Sequence, residues 1–264
     1  MDMFEYYGFF HEEDSTDRLT IAETQIIEHL FDKYLPEKGR VIDTSAGLGT
    51  FAFRFVDRGY EVTAGDWIAD HVEKLREDPR SKKLKGLYCS SPKNLSQFAD
   101  GSFDVLISLG IMYHMRTRAD REAFVQEALR VLSPEGYFVF SYMTPMAMTL
   151  GQYFNAMRTY DASNKIKAYR KLATVEKNHS CDMFYGMTLE EMTDLSREYG
   201  LEIITVASTY GMLYNMVDEV EKMNDEQYKK FLDVQIATCE DPFVSRYCMR
   251  GVYIGKKKAA DLLD

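Results

Sequence analysis

Apolar positions along the chain switch repeatedly between a helical and a strand period. Ile27, Leu30, Phe31 and Tyr34 recur at i, i+3, i+4 and i+7, one face of a helix that Pro36 and Gly39 bring to an end. Val41-Ile42-Asp43 closes a short β-branched run. Residues 51–58 read as a helix, with Gly59 placed where a left-handed residue would end it. A second strand runs over 60–65 and ends in Asp66. Residues 67–77 are amphipathic through Ile68, Val72 and Leu75 and stop at Pro79, and a third strand is expected over 86–89. Phe103-Asp104-Val105-Leu106-Ile107-Ser108-Leu109 is nearly all apolar, the pattern of a central parallel strand buried on both faces. Thr117-x-x-Asp120 reads as a capping box opening a helix that carries Phe124, Ala128, Leu129 and Leu132 inward. Pro134-Glu135-Gly136 then turns into a strand over 137–142.

Strands alternating with helices of ~10–15 residues predict a doubly wound, mostly parallel sheet with helices on both faces. Ligands of such sheets sit at the carboxyl ends of the strands. Residues 43–49, 66–67, 90–92, 109–114 and 142–145 are therefore expected to converge. Further along, helices are expected over 148–160 and 165–176, with a polar turn at 161–164 between them. Thr188-x-x-Glu191 opens another helix that ends at Gly200, and Asn224-x-x-Gln227 opens one reaching about Thr238. Residues 201–208 and 249–254 read as the last two strands.

Residues 1–264 are read as a single domain. Residues 1–35 form an aromatic segment and helix, and 36–145 form the core. Inserts over 146–187 and 209–248 form a helical cap, and 188–208 with 249–256 supply the last helix and strands. Five aromatics within the first ten residues are too many for a solvated tail, so that segment is expected to pack on the body.

A net charge of −10 argues against bulk nucleic acid as a partner. No apolar run approaches the ~20 residues of a membrane span. Cys89, Cys181, Cys239 and Cys248 form no Cys-x-x-Cys pair, which suits reduced thiols in a cytoplasm. His11, His29, His71, His114 and His179 show no metal-ligand spacing, so no metal is expected. Met143, Met146, Met148, Met157, Met183, Met187, Met212, Met216 and Met223 crowd the second half, either as core filler or as a plastic wall for a ligand.

Thr44-Ser45-Ala46-Gly47-Leu48-Gly49-Thr50 joins the first strand to its helix, and Asp66 follows roughly 20 residues after the turn, the layout of a nucleotide site. Small residues let backbone approach a ligand, and a carboxylate ending the second strand can accept both hydroxyls of a ribose. The turn has neither the Gly-x-Gly-x-x-Gly of dinucleotide enzymes nor the Gly-Lys-Ser/Thr of a phosphate loop. It resembles motif I of the class I S-adenosylmethionine (SAM) dependent methyltransferases, acid-x-Gly-x-Gly-x-Gly. Asp43 falls on the acid, Ser45 on the first glycine, and Gly47 and Gly49 on the others. Ser102-Phe103-Asp104-Val105 with Leu109-Gly110-Ile111-Met112-Tyr113-His114 is similar to the region after strand four in small-molecule members. Arg130-Val131-Leu132-Ser133-Pro134-Glu135-Gly136 is similar to their "RVLKPGG", with Glu135 on its first glycine. The resemblance covers about residues 40–142. The N-terminal aromatic stretch and Tyr253-Ile254-Gly255-Lys256 are also similar to a bacterial subgroup of that family.

The resemblance implies a Rossmann-like fold of seven strands with an antiparallel edge, and a small molecule methylated on O, N or S with S-adenosylhomocysteine (SAH) as product. The implied cofactor site comprises Asp43, Ser45, Ala46, Gly47, Gly49, Asp66, Trp67, Ser91, Pro92 and Leu109, with Arg18 a candidate for the SAM carboxylate. Ser91 stands where the family carries an adenine-binding acid. His114 is the candidate base, since histidine titrates near neutral pH, and Tyr113 is a candidate positioning group. Arg246, Tyr185 and Tyr247 are weaker acceptor-site candidates. Ser45 and Ser91 motivate an alternative, a SAM- or SAH-binding regulatory protein without turnover. No nucleic acid or membrane partner is expected, and the chain is expected to be a monomer or homodimer.

Overall fold

A computed structural model describes residues 17–146, 184–209, 211 and 217–259. Seven strands form one sheet in the order β3-β2-β1-β4-β5-β7-β6. They are β1 (Arg40–Asp43), β2 (Glu61–Asp66), β3 (Gly86–Cys89), β4 (Phe103–Ser108), β5 (Leu132–Met143), β6 (Leu201–Ser208) and β7 (Arg250–Lys257). Strands β1 to β5 pair in parallel. The antiparallel edge is built by β7, which enters between β5 and the outermost β6 and runs opposite to both. The chain winds outward from β1 to β3, then crosses back to lay β4 on β1's other side. This reversal between β1 and β4 opens the crevice in which doubly wound sheets bind ligands.

Two apolar layers explain the near-continuous strand patterns. Val41, Val105, Ile107, Val139, Val252 and Ile254 face α1 (Arg18–Tyr34) and α2 (Thr50–Asp57), through Ile26, Leu30, Phe31, Ala52 and Phe55. Ile42, Leu106, Phe138, Phe140 and Tyr253 face the other way, onto Phe124, Val125 and Ala128 of α4 (Arg118–Val131) and Met192 of α5 (Leu189–Glu198). Neighbouring residues of one strand serve opposite layers, as period-two geometry requires. Helix α3 (Ala69–Glu77) ends before a 3₁₀ turn that opens at Pro79.

Several local expectations change. Helix α1 starts at Arg18, well before Ile27, because the Asp17 carboxylate caps the Thr20 N–H at 2.9 Å. Its buried residues include Leu19, Ala22 and Ile26, an extension of the same face. Thr117 caps the Asp120 N–H, but the Asp120 carboxylate takes the Thr117 hydroxyl at 2.6 Å and Lys93, so half the predicted box forms. Thr188 with Glu191 and Asn224 with Gln227 form complete boxes. Strand β5 begins at Leu132, with a register shift on β4 where the 134–136 turn was expected. The helices expected over 148–160 and 165–176, and residues 1–16 of the aromatic segment, lie outside the described residues. The second insert contributes α6 (Val217–Glu221), α7 (Asp225–Thr238) and α8 (Pro242–Tyr247). Leu232 and Ile236 of α7 pack on the same layer as α1. Among the described residues no helix is long and apolar enough to cross a membrane.

Candidate functional site

The turn after β1 is folded by its own side chains. Gly47 and Gly49 hold φ of 52° and 93°, a left-handed region that side chains with a Cβ resist. A Cβ on Gly49 would also stand 2.5 Å from the Phe53 ring and 2.7 Å from Leu75 Cδ1. Ser45 has no such constraint, since Glu135 is the one non-glycine residue at positive φ among those described. Its N–H donates to Asp43 Oδ1 at 3.0 Å and its hydroxyl donates to the Leu109 carbonyl at 3.1 Å, tying β1 to β4 across the crevice.

The two predicted acids meet here, almost fully buried: Asp43 is 3% and Asp66 4% exposed. Asp66 Oδ2 accepts the Gly47 N–H at 3.0 Å and Oδ1 accepts the Ile68 N–H at 2.9 Å. His71 on α3 brings Nδ1 to 3.4 Å from the same Oδ2. Burial, reinforced by the Asp66 charge and opposed by the Ser45 N–H, pushes the Asp43 carboxyl up to about 7.

Beyond β4, Gly110 donates its N–H to Ser141 Oγ at 2.7 Å, and a 3₁₀ turn (Met112–His114) follows. The Tyr113 and His114 rings lie 4.8 Å apart, and Phe184 packs 5.1 Å from His114 and 5.9 Å from Tyr113. The Tyr185 N–H donates to the Tyr113 carbonyl at 2.7 Å, fixing this turn from above. Arg121 lies over the Tyr185 ring at 3.7 Å and donates to the carbonyls of Met115 and Arg116.

The acids, the glycine turn and the Tyr113–His114 turn line one cavity of about 830 Å³, within the size of small-molecule sites. The structure gathers Asp43, Ser45, Ala46, Gly47, Asp66, Trp67, Leu109, Tyr113 and His114 around it. Gly49 stands behind the lining, at the α2 N-terminus. Other expected residues are held elsewhere. Arg18 pairs with Asp225 at 2.7 Å and stacks on Tyr228, away from the lining. Ser91 Oγ accepts the Lys93 N–H at 3.3 Å in the turn after β3, and neither it nor Pro92 lines the cavity. Of 142–145, none lines it, because the Tyr142 hydroxyl is buried against the Ser245 carbonyl; Ser141 reaches the cavity instead. Tyr185 bonds Glu191, Arg246 pairs with Glu190, and Tyr247 packs on Phe243.

The cavity also has lining that the sequence reading missed: Thr20, Glu23 and Thr24 on α1, His71, Ser141 and Arg250. A signal existed for Glu23, which lies four residues before Ile27 and so on the same helical face.

Residues 42–140, which hold both acids, the glycine turn and His114, match the family model described as a methyltransferase domain. That stretch is similar to methyltransferase domains. A candidate methyltransferase of Bacillus subtilis, YqeM, is 30% identical over 107 residues, 40% of this chain and 43% of that protein. The chain thus matches less than half the length of this relative. Among solved structures, the PH0226 protein of Pyrococcus horikoshii superposes with a TM-score of 0.61 at 18% identity, over 96% of this chain and 99% of that one. A SAM-dependent methyltransferase of Methanosarcina mazei does so at 0.55 and 17%, over 87% and 97%. At such identities these two likenesses speak for the fold.

Proposed function

We propose that this chain is a class I SAM-dependent methyltransferase that binds SAM at the Asp43–Asp66 end of the cavity and methylates a small molecule on O, N or S. The observation that carries the reading is the pair of buried carboxylates closing β1 and β2 beside the glycine turn, in a cavity that runs on past His114. The donor set fits the cofactor. A carboxylate offers about four lone-pair positions, and Asp66 uses two on backbone N–H groups, leaving room for two ribose hydroxyls.

When bound, SAM supplies a methyl carbon made electrophilic by its sulfonium. The protein's task is alignment, removal of the acceptor's proton and exclusion of water. Asp66 would hold the ribose hydroxyls, Trp67 and Ile68 would wall the adenine, and the Gly47 turn would admit close backbone approach. His114 takes the proton from an O–H, N–H or S–H acceptor, and Tyr113 positions it. Phe184 packs on His114, so residues 184–187 close the acceptor end beside the proposed base.

The first test is calorimetric titration with SAH, SAM and NAD. Binding of both sulfur compounds in the micromolar range, with none of NAD, is the expected result. No binding of either overturns the cofactor assignment, whereas tight binding with no labelled methyl leaving SAM across an acceptor screen favours a non-catalytic binder.

A further inference from the structure

The cavity has a second polar end, distant from the acids that close β1 and β2. Strand order puts Arg250, the first residue of β7, four strands from β2 and its Asp66, about 19 Å at ~4.8 Å per strand. There Glu23 of α1 meets it, with Arg250 Nη1 3.3 Å from Glu23 Oε2. The Thr209 hydroxyl donates to Glu23 Oε1 at 2.9 Å. The Thr209 N–H donates to the Arg250 carbonyl at 3.0 Å, so the ends of β6 and β7 hold the group in place. The Glu23 side chain is 13% exposed and that of Arg250 44%. Both line the cavity, with Thr20, Thr24 and Ser141 around them. Burial raises the Glu23 carboxyl, against the pull of Arg250 and the Thr209 hydroxyl.

A carboxylate and a guanidinium side by side on a cavity wall are met in full by a ligand carrying one charge of each sign. An anionic ligand that drew Arg250 away would leave the largely buried Glu23 carboxylate with the Thr209 hydroxyl alone, which is costly. The 3.3 Å separation matches an ammonium and a carboxylate borne on one carbon. We infer that this end of the cavity is the acceptor subsite, and that Glu23 and Arg250 together recognise a zwitterionic acceptor of the α-amino-acid type. The ammonium lies on Glu23 and the carboxylate on Arg250, and the acceptor's side chain extends past Ser141 toward Tyr113 and His114. This rests on the methyltransferase reading, which assigns the Asp66 end to the cofactor.

The test uses three probes of one shape: L-phenylalanine, phenethylamine and 3-phenylpropionate. Their affinities are measured by saturation-transfer NMR on the whole protein, with and without SAH. L-Phenylalanine should bind at least tenfold more tightly than either singly charged analogue, ~1.4 kcal/mol. Glu23→Gln and Arg250→Gln should each remove that preference while SAH affinity, which also reports folding, stays within about twofold. Equal binding of the three probes, or L-phenylalanine affinity unmoved by either variant, overturns the proposal. So does loss of SAH affinity in folded variants, which would assign the pair to the cofactor. If wild-type protein binds L-phenylalanine selectively through Glu23 but never binds SAH, the subsite stands and the methyltransferase reading falls.

Discussion

Ser45 and Gly49 share one turn and meet opposite backbone demands. Gly49 holds φ of 93° with Phe53 and Leu75 against its missing Cβ, while Ser45 lies outside the positive-φ region and uses both its N–H and its hydroxyl. The family's first glycine is thus replaceable by a small residue, and its third is not. The acids follow the same logic of shared work. Asp66 holds the Gly47 and Ile68 N–H groups as well as facing the cavity. Asp66→Ala should therefore weaken SAH binding at least tenfold, ~1.4 kcal/mol, by calorimetry on a variant whose circular dichroism is native. Unchanged affinity would take Asp66 out of the cofactor site. His114 makes the complementary case. His114→Ala should lower turnover by about 10²–10⁴-fold, the usual worth of a general base, with SAH affinity preserved. Full activity in single-turnover assays would leave His114 as a packing partner of Phe184 and Tyr113.

At the scale of elements, the irregular start of β5 shows what a family glycine does. Glu135 takes the place of the first glycine of the "RVLKPGG" pattern and holds φ of 62°. A side chain with a Cβ costs about 1–2 kcal/mol in that region, of which glycine returns part as extra freedom of the unfolded chain. Its ion pair with Lys256, at 3.7 Å on a largely exposed carboxylate, offers little against this. Glu135→Gly should raise stability by roughly 0.5–1 kcal/mol in urea unfolding, and a loss would mean the carboxylate matters more than the backbone. The strands and the turn after β1 were legible because their signals are local: period-two runs, small residues, an acid at a strand end. Helix α1's first turns were not, since Asp17 as cap and the Leu19–Ala22–Ile26 face only gain meaning once they lie on the sheet. Likewise, Arg18 and Ser91 carried plausible chemistry, but contacts with Asp225, Tyr228 and Lys93 decide where they point. Glu23 and Arg250 are 227 residues apart, a juxtaposition that only the packing of α1 against the start of β7 creates.

Over the whole molecule, two acids shifted in opposite directions bound the pH range of stability. The Arg40 guanidinium beside Asp104 draws its carboxyl down to about 2, so that contribution is present above the unfolded value near ~4 and is lost as pH falls toward 2. The group is partly exposed, and solvent screening keeps its share modest. Asp43 acts at the other end. Its carboxyl titrates at ~3.9 in the unfolded chain and, pushed up by burial, at about 7 in the fold. Between those values the folded chain keeps a proton that the unfolded chain has released, so stability declines as pH rises through about 7. Burial raises Glu23 in the same sense, which makes a single-site comparison necessary. The ligand-free wild type should therefore melt at a higher temperature near pH ~5.5 than at pH ~8, and Asp43→Asn should flatten that difference by a few degrees, at about 2–4 °C per kcal/mol for a chain of this size. Parallel melting curves for wild type and Asp43→Asn across that range would show that Asp43 is already ionised in the fold. The ionised acid would then have to be held by the turn's N–H groups rather than by a proton.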